Sequence, residues 1–319
     1  MRKAALLYNP DSGGSRKRQR ELESALRVLR AAGVEAALVL GESRSSAAEY
    51  ALGAISEGCD TIFACGGDGT IHNIVQVLAR TPVALAILPM GTANALAHDL
   101  GLPRDAAEAA KAAMGATPRR VALGRAEYVD FQGNPASRYF IIAAGVGVDA
   151  HLFYKLHTGA KQRMGMAAYY AKAWNLWFTY PMTRFVAEYE ETDGDSVKLA
   201  EVTELMGVRI RNFGGVLQEL APGATLDRDD IRLVFCRTAS RAAYLAYVTR
   251  GLLRQQWAIP GIDLVHSKRV SCRYKDGADG QDRRKIYVEA DGELLGSLPL
   301  EITMVPEALT VLAPGPIDA

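Results

Sequence analysis

Thr61-Ile62-Phe63-Ala64-Cys65-Gly66-Gly67-Asp68-Gly69-Thr70-Ile71-His72-Asn73-Ile74-Val75 is the stretch from which the architecture of this chain is read. A short apolar run breaks at two glycines, and apolar residues then recur at Ile71, Ile74, Val75 and Leu78, the spacing of one helical face. Strand, glycine turn and helix follow one another, as they do where a parallel sheet is wrapped by crossover helices. The same alternation extends outward. Strands are expected at 3–8, 36–40, 61–65 and 84–88, and helices at 16–32, 46–57 and 71–79. Residues 1–122 thus read as a Rossmann-like α/β domain.

Beyond residue 122 the texture changes. β-Branched and aromatic runs occupy 139–144, 185–190, 204–210, 231–236, 269–274, 286–290 and 298–305, interrupted by helical stretches at 164–179 and 240–256. Residues 123–306 read as a β-sandwich, or distorted barrel, carrying a few helices. Hydrophobic residues at 49% and charged residues at 23% describe an ordinary folded chain, and 37 basic against 36 acidic residues leave a net charge of +1. So balanced a charge exerts no general pull on nucleic acid, and no such partner is expected. Cys59, Cys65, Cys236 and Cys272 are widely spaced and the first residues show no cleavable signal pattern, which points to a reducing cytoplasm. The most apolar stretch, 164–181, is interrupted by Lys172 and Asn175 and is too short and too aromatic for a membrane span.

Glycines in the turn 66–70 permit positive φ and let backbone N–H groups approach an anion, and the helix that follows adds a favourable dipole. Two other turns share this chemistry: Asn9-Pro10-Asp11-Ser12-Gly13-Gly14 after the first strand and Pro89-Met90-Gly91-Thr92-Ala93-Asn94 after the fourth. Any one of them could be a plain tight connection. All three, however, fall at the carboxyl ends of parallel strands, where open α/β sheets bind ligands, and together they imply a polyphosphate. Gly145-Val146-Gly147-Val148-Asp149-Ala150 comes close to a dinucleotide fingerprint but opens no βαβ unit.

Gly66–Thr70, Leu88–Asn94 and Leu100-Gly101-Leu102-Pro103, with Asn9-Pro10, Gly145–Ala150 and Asp291-Gly292-Glu293, resemble the diacylglycerol kinase catalytic-domain family, which includes bacterial lipid kinases and sphingosine and ceramide kinases. The likeness spans nearly the whole chain. Its first turn is shared with NAD kinases. The resemblance implies an N-terminal NAD-kinase-like α/β domain and a C-terminal β-sandwich domain flanking an ATP cleft, with the C-terminal segment 307–319 returning to the first domain. The implied nucleotide contacts are Asn9, Pro10, Asp11, Ser12, Gly13, Gly66, Gly67, Asp68, Gly69, Thr70, Ile71, His72 and Thr92. The chain carries Gly14, Gly41 and Ala95 where family members often have Lys, Thr and Asp.

Phosphoryl transfer needs a positioned γ-phosphate, a divalent cation and a base near the acceptor hydroxyl. Asp68, among the turn amides, is read as orienting Mg²⁺ or the acceptor rather than as a structural acid. Asp291 and Glu293 flank Gly292 after an expected strand, and a turn there could aim both into a cleft or leave both in solvent. Glu293 has the longer side chain and comes from the opposite domain, so it is assigned as proton acceptor, with Asp291 supporting it. Asp227, Asp229 and Asp230 could be only a charged turn. The resemblance implies that this turn holds a structural Mg²⁺ through the carbonyls of Leu226 and Ile231 and the side chain of Asp229. It also sets Asp149 and His151 against the acceptor headgroup.

Tyr170, Trp174, Trp177 and Phe178 share one helical face, which is either core or part of an acyl-chain site; Lys161, Arg163 and Lys172 lie beside it. The reading that follows is an ATP- and Mg²⁺-dependent kinase acting on a hydroxyl of diacylglycerol, a sphingoid base or a related lipid. Such an enzyme would be cytoplasmic and peripherally associated with the membrane surface, and a homodimer is compatible with it. The alternatives are a kinase of a soluble polyol or nucleotide and a non-catalytic nucleotide- or lipid-binding module.

Overall fold

The computed structural model describes residues 1–9, 16–41, 46–147, 182–194, 196–214, 219–253, 257–275 and 285–314. Its first strands are β1 (Lys3–Tyr8), β2 (Glu35–Leu40), β3 (Thr61–Gly66) and β4 (Ala84–Pro89), and they lie parallel in the order β2-β1-β3-β4. Helices α1 (Arg16–Ala31), α2 (Ser46–Ser56) and α3 (Asp68–Leu78) connect them, followed by α4 (Ala95–Asp99) and α5 (Ala106–Gly115).

Alternation along the strands explains the layering, because successive side chains point to opposite faces. Ala4, Leu6, Tyr8, Phe63, Cys65, Ala86 and Leu88 face one way, into a core with Leu22, Leu26 and Leu29 of α1 and Ala109, Ala110 and Ala113 of α5. Ala5, Leu7, Ile62, Ala64, Leu85 and Ile87 face the other way, against Ala51 and Ala54 of α2 and Ile71, Ile74, Val75 and Leu78 of α3. β3 is buried along its whole length, as a central strand covered on both faces must be. Helix α5 was not expected from the sequence. Its start is nonetheless marked by Asp105, whose side chain accepts from the N–H groups of Ala107 and Glu108.

β5 (Pro118–Val129) runs without interruption through residue 122, so the change of texture read there falls inside a strand. Next come β6 (Pro135–Phe140), β7 (Ala143–Val146), β8 (Phe185–Glu191), β9 (Val197–Val202), β10 (Glu204–Val208) and β11 (Ile231–Cys236). Helix α6 (Arg241–Leu252), β12 (Ile262–Tyr274), β13 (Tyr287–Ala290) and β14 (Glu293–Leu312) complete the described elements. The pairings β14–β13, β13–β7, β7–β10, β10–β11, β11–β12 and β12–β14 return to their starting strand, so the sheet closes on itself. β12 makes the closure by leaving β11 near Ser267 and joining β14 from Arg269 onward, with a register shift against β8 between the two. Phe140, Phe185, Phe235, Val288 and Ile302 fill the interior of this β-rich body.

β14 joins the two halves. It starts beside β13, and its end lies parallel to β4, with Thr310 opposite Ala84 and Val311 opposite Leu85. The four cysteines are free and buried. No helix among the described residues is long and apolar enough to cross a membrane.

Phe63 is fully buried at the centre of the parallel sheet. Phe63→Ala is expected to lower the unfolding free energy by about 3–5 kcal/mol, measured by urea denaturation, because the lost transfer energy is joined by a cavity the sheet cannot close.

Candidate active site

The turn after β3 and the turn after β4 touch through their glycines. A Cβ on Gly91 would come within 2.4 Å of Gly67 Cα, and a Cβ on Gly66 would strike the side chain of Thr70. The Met90 N–H donates to the Gly66 carbonyl at 3.0 Å, binding one turn to the other. Asn94 closes the second turn on itself: its Oδ1 accepts from Gly91 N–H at 2.8 Å and its Nδ2 donates to the Gly91 carbonyl at 2.9 Å. It does so in the left-handed region, at φ 51°, a conformation that asparagine tolerates. Thr92 stays exposed at the tip. Gly67 is the N-cap of α3 and no side chain caps that helix, so its positive end is open to an anion.

Asp68 has a structural partner, contrary to the sequence reading. Its Oδ1 accepts from Leu96 N–H at 3.3 Å, at the start of α4. Burial pushes the Asp68 carboxyl above its ordinary pKa, the amides of Ala95 and Leu96 pull it down, and the Asp291 charge adds a smaller upward push.

The two acids around Gly292 have separate fates. Asp291 and Gly292, at φ 49° and 79°, form a two-residue hairpin loop closed by the pair Ala290 and Glu293. Positive φ at both positions is the geometry for which Asp-Gly is favoured. The Asp291 carboxylate turns inward and accepts from Ile141 N–H at 3.1 Å, Ile142 N–H at 2.8 Å and Ala143 N–H at 3.1 Å. His72 Nδ1 lies 3.2 Å from its Oδ2, and both side chains are buried. The expectation that this acid faces the cleft is therefore corrected: Asp291 positions the hairpin. Glu293 points the other way. A Cβ on Gly69 would lie 3.0 Å from Glu293 Oε1, so this carboxylate rests against the glycine turn from the opposite half of the molecule.

Of the expected nucleotide contacts, Ile71 and His72 have their side chains turned inward. Ile71 is in the core against β3, and the His72 ring is spent on Asp291. Gln76, one turn further along the helix, donates from Nε2 to the Tyr139 carbonyl at 2.8 Å and accepts from Tyr139 N–H at 2.9 Å, so α3 is fastened to β6. Asn9 is buried at the end of β1, and a small cavity beside it is lined by Tyr8, Asn9, Gly41, Tyr50 and Thr70. The Tyr8 hydroxyl has no hydrogen-bond partner among the described residues. A larger groove lined by Arg232, Arg250 and Trp257 lies on the β-rich half and includes none of these residues.

Pro10, Asp11, Ser12, Gly13, Asp149, His151 and the aromatic stretch 164–181 lie outside the described residues. Among the described residues, no three His, Cys, Asp or Glu side chains gather into a metal cage. Of the expected structural Mg²⁺ ligands, Leu226 has a buried side chain, Asp229 is exposed, and Ile231 opens β11 opposite Ser267. The carbonyls of Thr225, Arg228 and Asp230, the neighbours of the expected donors in the same loop, accept from Arg209.

The description "Diacylglycerol kinase catalytic domain" fits residues 3–126, and "YegS C-terminal NAD kinase beta sandwich-like domain" fits residues 142–313. The diacylglycerol kinase of Bacillus subtilis (strain 168) is 28% identical over 321 residues, covering 98% of this chain and 97% of that protein. The diacylglycerol kinase of Staphylococcus aureus (strain MRSA252) is 27% identical over 318 residues, covering 99% and 94%. A crystal structure of a diacylglycerol kinase from Bacillus anthracis str. Sterne superposes with a TM-score of 0.70 at 21% identity, over 98% of this chain and 96% of the other.

Removing the Asp291 carboxylate strands three buried amides. Asp291→Ala is expected to cost about 3–5 kcal/mol in urea denaturation, at roughly 1–3 kcal/mol for each unsatisfied group with partial relaxation. Glu293→Gln should stay within about 0.5 kcal/mol of the parent.

Proposed function

As a member of the diacylglycerol kinase catalytic-domain family with a YegS-type C-terminal domain, this chain is a kinase, and we propose that it transfers the γ-phosphate of ATP to a lipid hydroxyl. The observation that carries this reading is the approach of Glu293, from the β-rich half, to Gly69 in the turn that opens α3. One carboxylate and one anion-binding turn, from separate parts of the fold, then face a common space. The two lobes of the proposal are residues 1–122 with 307–319, and residues 123–306.

ATP lies with its phosphates on the uncapped start of α3 and on the turn of Gly91 and Thr92. Its base lies toward Asn9 and Thr70, where the Tyr8 hydroxyl offers a further polar group. Asp68 would orient a Mg²⁺ ion bound with the nucleotide, which would supply charge neutralisation at the phosphates. Glu293 accepts the proton of the acceptor hydroxyl as its oxygen bonds to the γ-phosphorus, and the electrons of the broken P–O bond leave with ADP. Asp68 orients the reacting groups while holding the start of α4. Asp291 contributes through placement: its hairpin sets where Glu293 begins. The acceptor is a diacylglycerol, sphingoid base or related lipid reached by peripheral contact with the membrane surface.

Incubation with labelled ATP, Mg²⁺ and a panel of lipids and soluble alcohols tests the reading, and label in a lipid is expected. Glu293→Gln should cut turnover by ~10²–10⁴-fold with nucleotide affinity nearly unchanged. Near-normal turnover in that variant would remove Glu293 from the proton transfer. Flotation with lipid vesicles should show modest reversible binding. Absence of binding to every composition, together with phosphorylation of a soluble alcohol, would overturn the lipid acceptor.

A further inference from the structure

The groove on the β-rich half has a volume of about 630 Å³, the size of a small-molecule site. Four cations line it, Lys198, Arg232, Arg237 and Arg250, against two acids, Glu191 and Asp263. Each acid is already taken. Lys198 Nζ lies 2.8 Å from Glu191 Oε1, and Arg237 Nε lies 2.7 Å from Asp263 Oδ2. Asp230, whose charge also acts on Arg232, is held by Arg228, by Thr192 at 3.0 Å and by His266 at 3.1 Å. Arg232 and Arg250 thus carry two positive charges with no carboxylate bridge among the described residues.

Neutral groups fix both guanidiniums. Arg250, in the last turn of α6, is buried, which is rare for arginine unless it is paired. It lies over the Tyr247 ring at 4.7 Å, and its Nη1 donates to the Trp257 carbonyl at 3.4 Å. Its Nη2 is buried and has no hydrogen-bond partner among the described residues. Arg232, on β11, donates from Nε to the Pro222 carbonyl at 2.9 Å, and its two terminal nitrogens donate to no group among the described residues. Burial pulls the Arg232 guanidinium below its ordinary pKa, a cost that a bound anion offsets.

The charge count selects the anion. A carboxylate cancels one of the two charges, whereas a phosphomonoester carries about −1.5 to −2 at pH 7 and offers three oxygens to the planar donor forks. Trp257 and Leu264, which line the same groove, give its organic substituent an apolar surface. We propose that this groove is a phosphomonoester-binding site in which Arg232 and Arg250 hold the phosphate group, carried by a soluble ester or by a lipid headgroup. None of the glycine-turn residues lines it, so the inference stands apart from the kinase reading.

The test titrates the full chain, at constant ionic strength, with glycerol phosphate and separately with phosphatidylcholine vesicles carrying phosphatidic acid. Binding is followed by tryptophan emission. The expected result is saturable binding with an emission change that Trp257→Phe abolishes. A response to glycerol phosphate alone assigns a soluble ester. A response to the phosphatidic acid vesicles alone, absent with pure phosphatidylcholine, assigns a lipid headgroup, and a response to both shows the phosphate recognised on either. Arg232→Gln and Arg250→Gln should each weaken binding about 10–100-fold, as for lost hydrogen bonds to a charged group. Lys111→Gln, which removes an exposed cation of α5, should bind like the parent. Acetate, with one charge, should bind at least about tenfold more weakly than glycerol phosphate. The absence of a Trp257-dependent response to either probe would overturn the proposal. So would parental affinity in Arg232→Gln, or acetate binding as tightly as glycerol phosphate. If Arg250→Gln fails to fold, the Arg232→Gln titration decides the question.

Discussion

The buried carboxylate of Asp291 is the contact on which the arrangement of the site depends. Two amides between β6 and β7, the first amide of β7 and the ring of His72 converge on its two oxygens. A buried charge is tolerated only when its hydrogen bonds are satisfied, so the geometry around Asp291 is tightly constrained. His72 belongs to the helix that begins in the glycine turn, and Glu293 begins the strand that follows the hairpin. Fixing Asp291 against His72 therefore fixes the separation between the turn and Glu293. Gln76 reinforces the same face of α3 from one turn away.

Glycine has two jobs at the turns, and the packing one comes first. Gly67 and Gly91 leave no room for side chains between the two connections, whatever binds there. The same bareness exposes backbone to a phosphate. Sequence reasoning assigned these glycines to ligand binding, and the contact between the turns gives them a structural reason that needs no ligand.

The parallel half was legible because its strands are buried on both faces and read as unbroken apolar runs, as in Ile62–Cys65. Helix α5 was missed because its buried positions are all alanine, too small to register as a periodic apolar face, although Asp105 marked its start. Edge strand β9 was missed, and β6 was read only at Tyr139 and Phe140, because exposed charged and small residues dilute the alternation. At the candidate site, the reach of Glu293 was readable from its length and its place on the other half. The inward turn of Asp291 was signalled by Asp-Gly between two strands, the signature of a tight hairpin. Its buried partners were not, since Ile141, Ile142 and Ala143 act through main-chain amides that carry no side-chain signature. Arg209 escaped for the same reason: its partners are carbonyls.

β14 sets a schedule for biosynthesis. β4 emerges early from the ribosome, yet the residues that flank it, Thr310 and Val311, are made about 220 residues later. At roughly 5–20 residues per second, the nascent parallel sheet waits on the order of 10–40 s with a bare hydrogen-bonding edge. The strand that finally covers this edge also closes the ring of β-strands and begins with Glu293. Nascent chains therefore carry an aggregation-prone edge throughout elongation. The glycine turns are present long before the last strand, but the carboxylate facing them settles only when the molecule as a whole is closed.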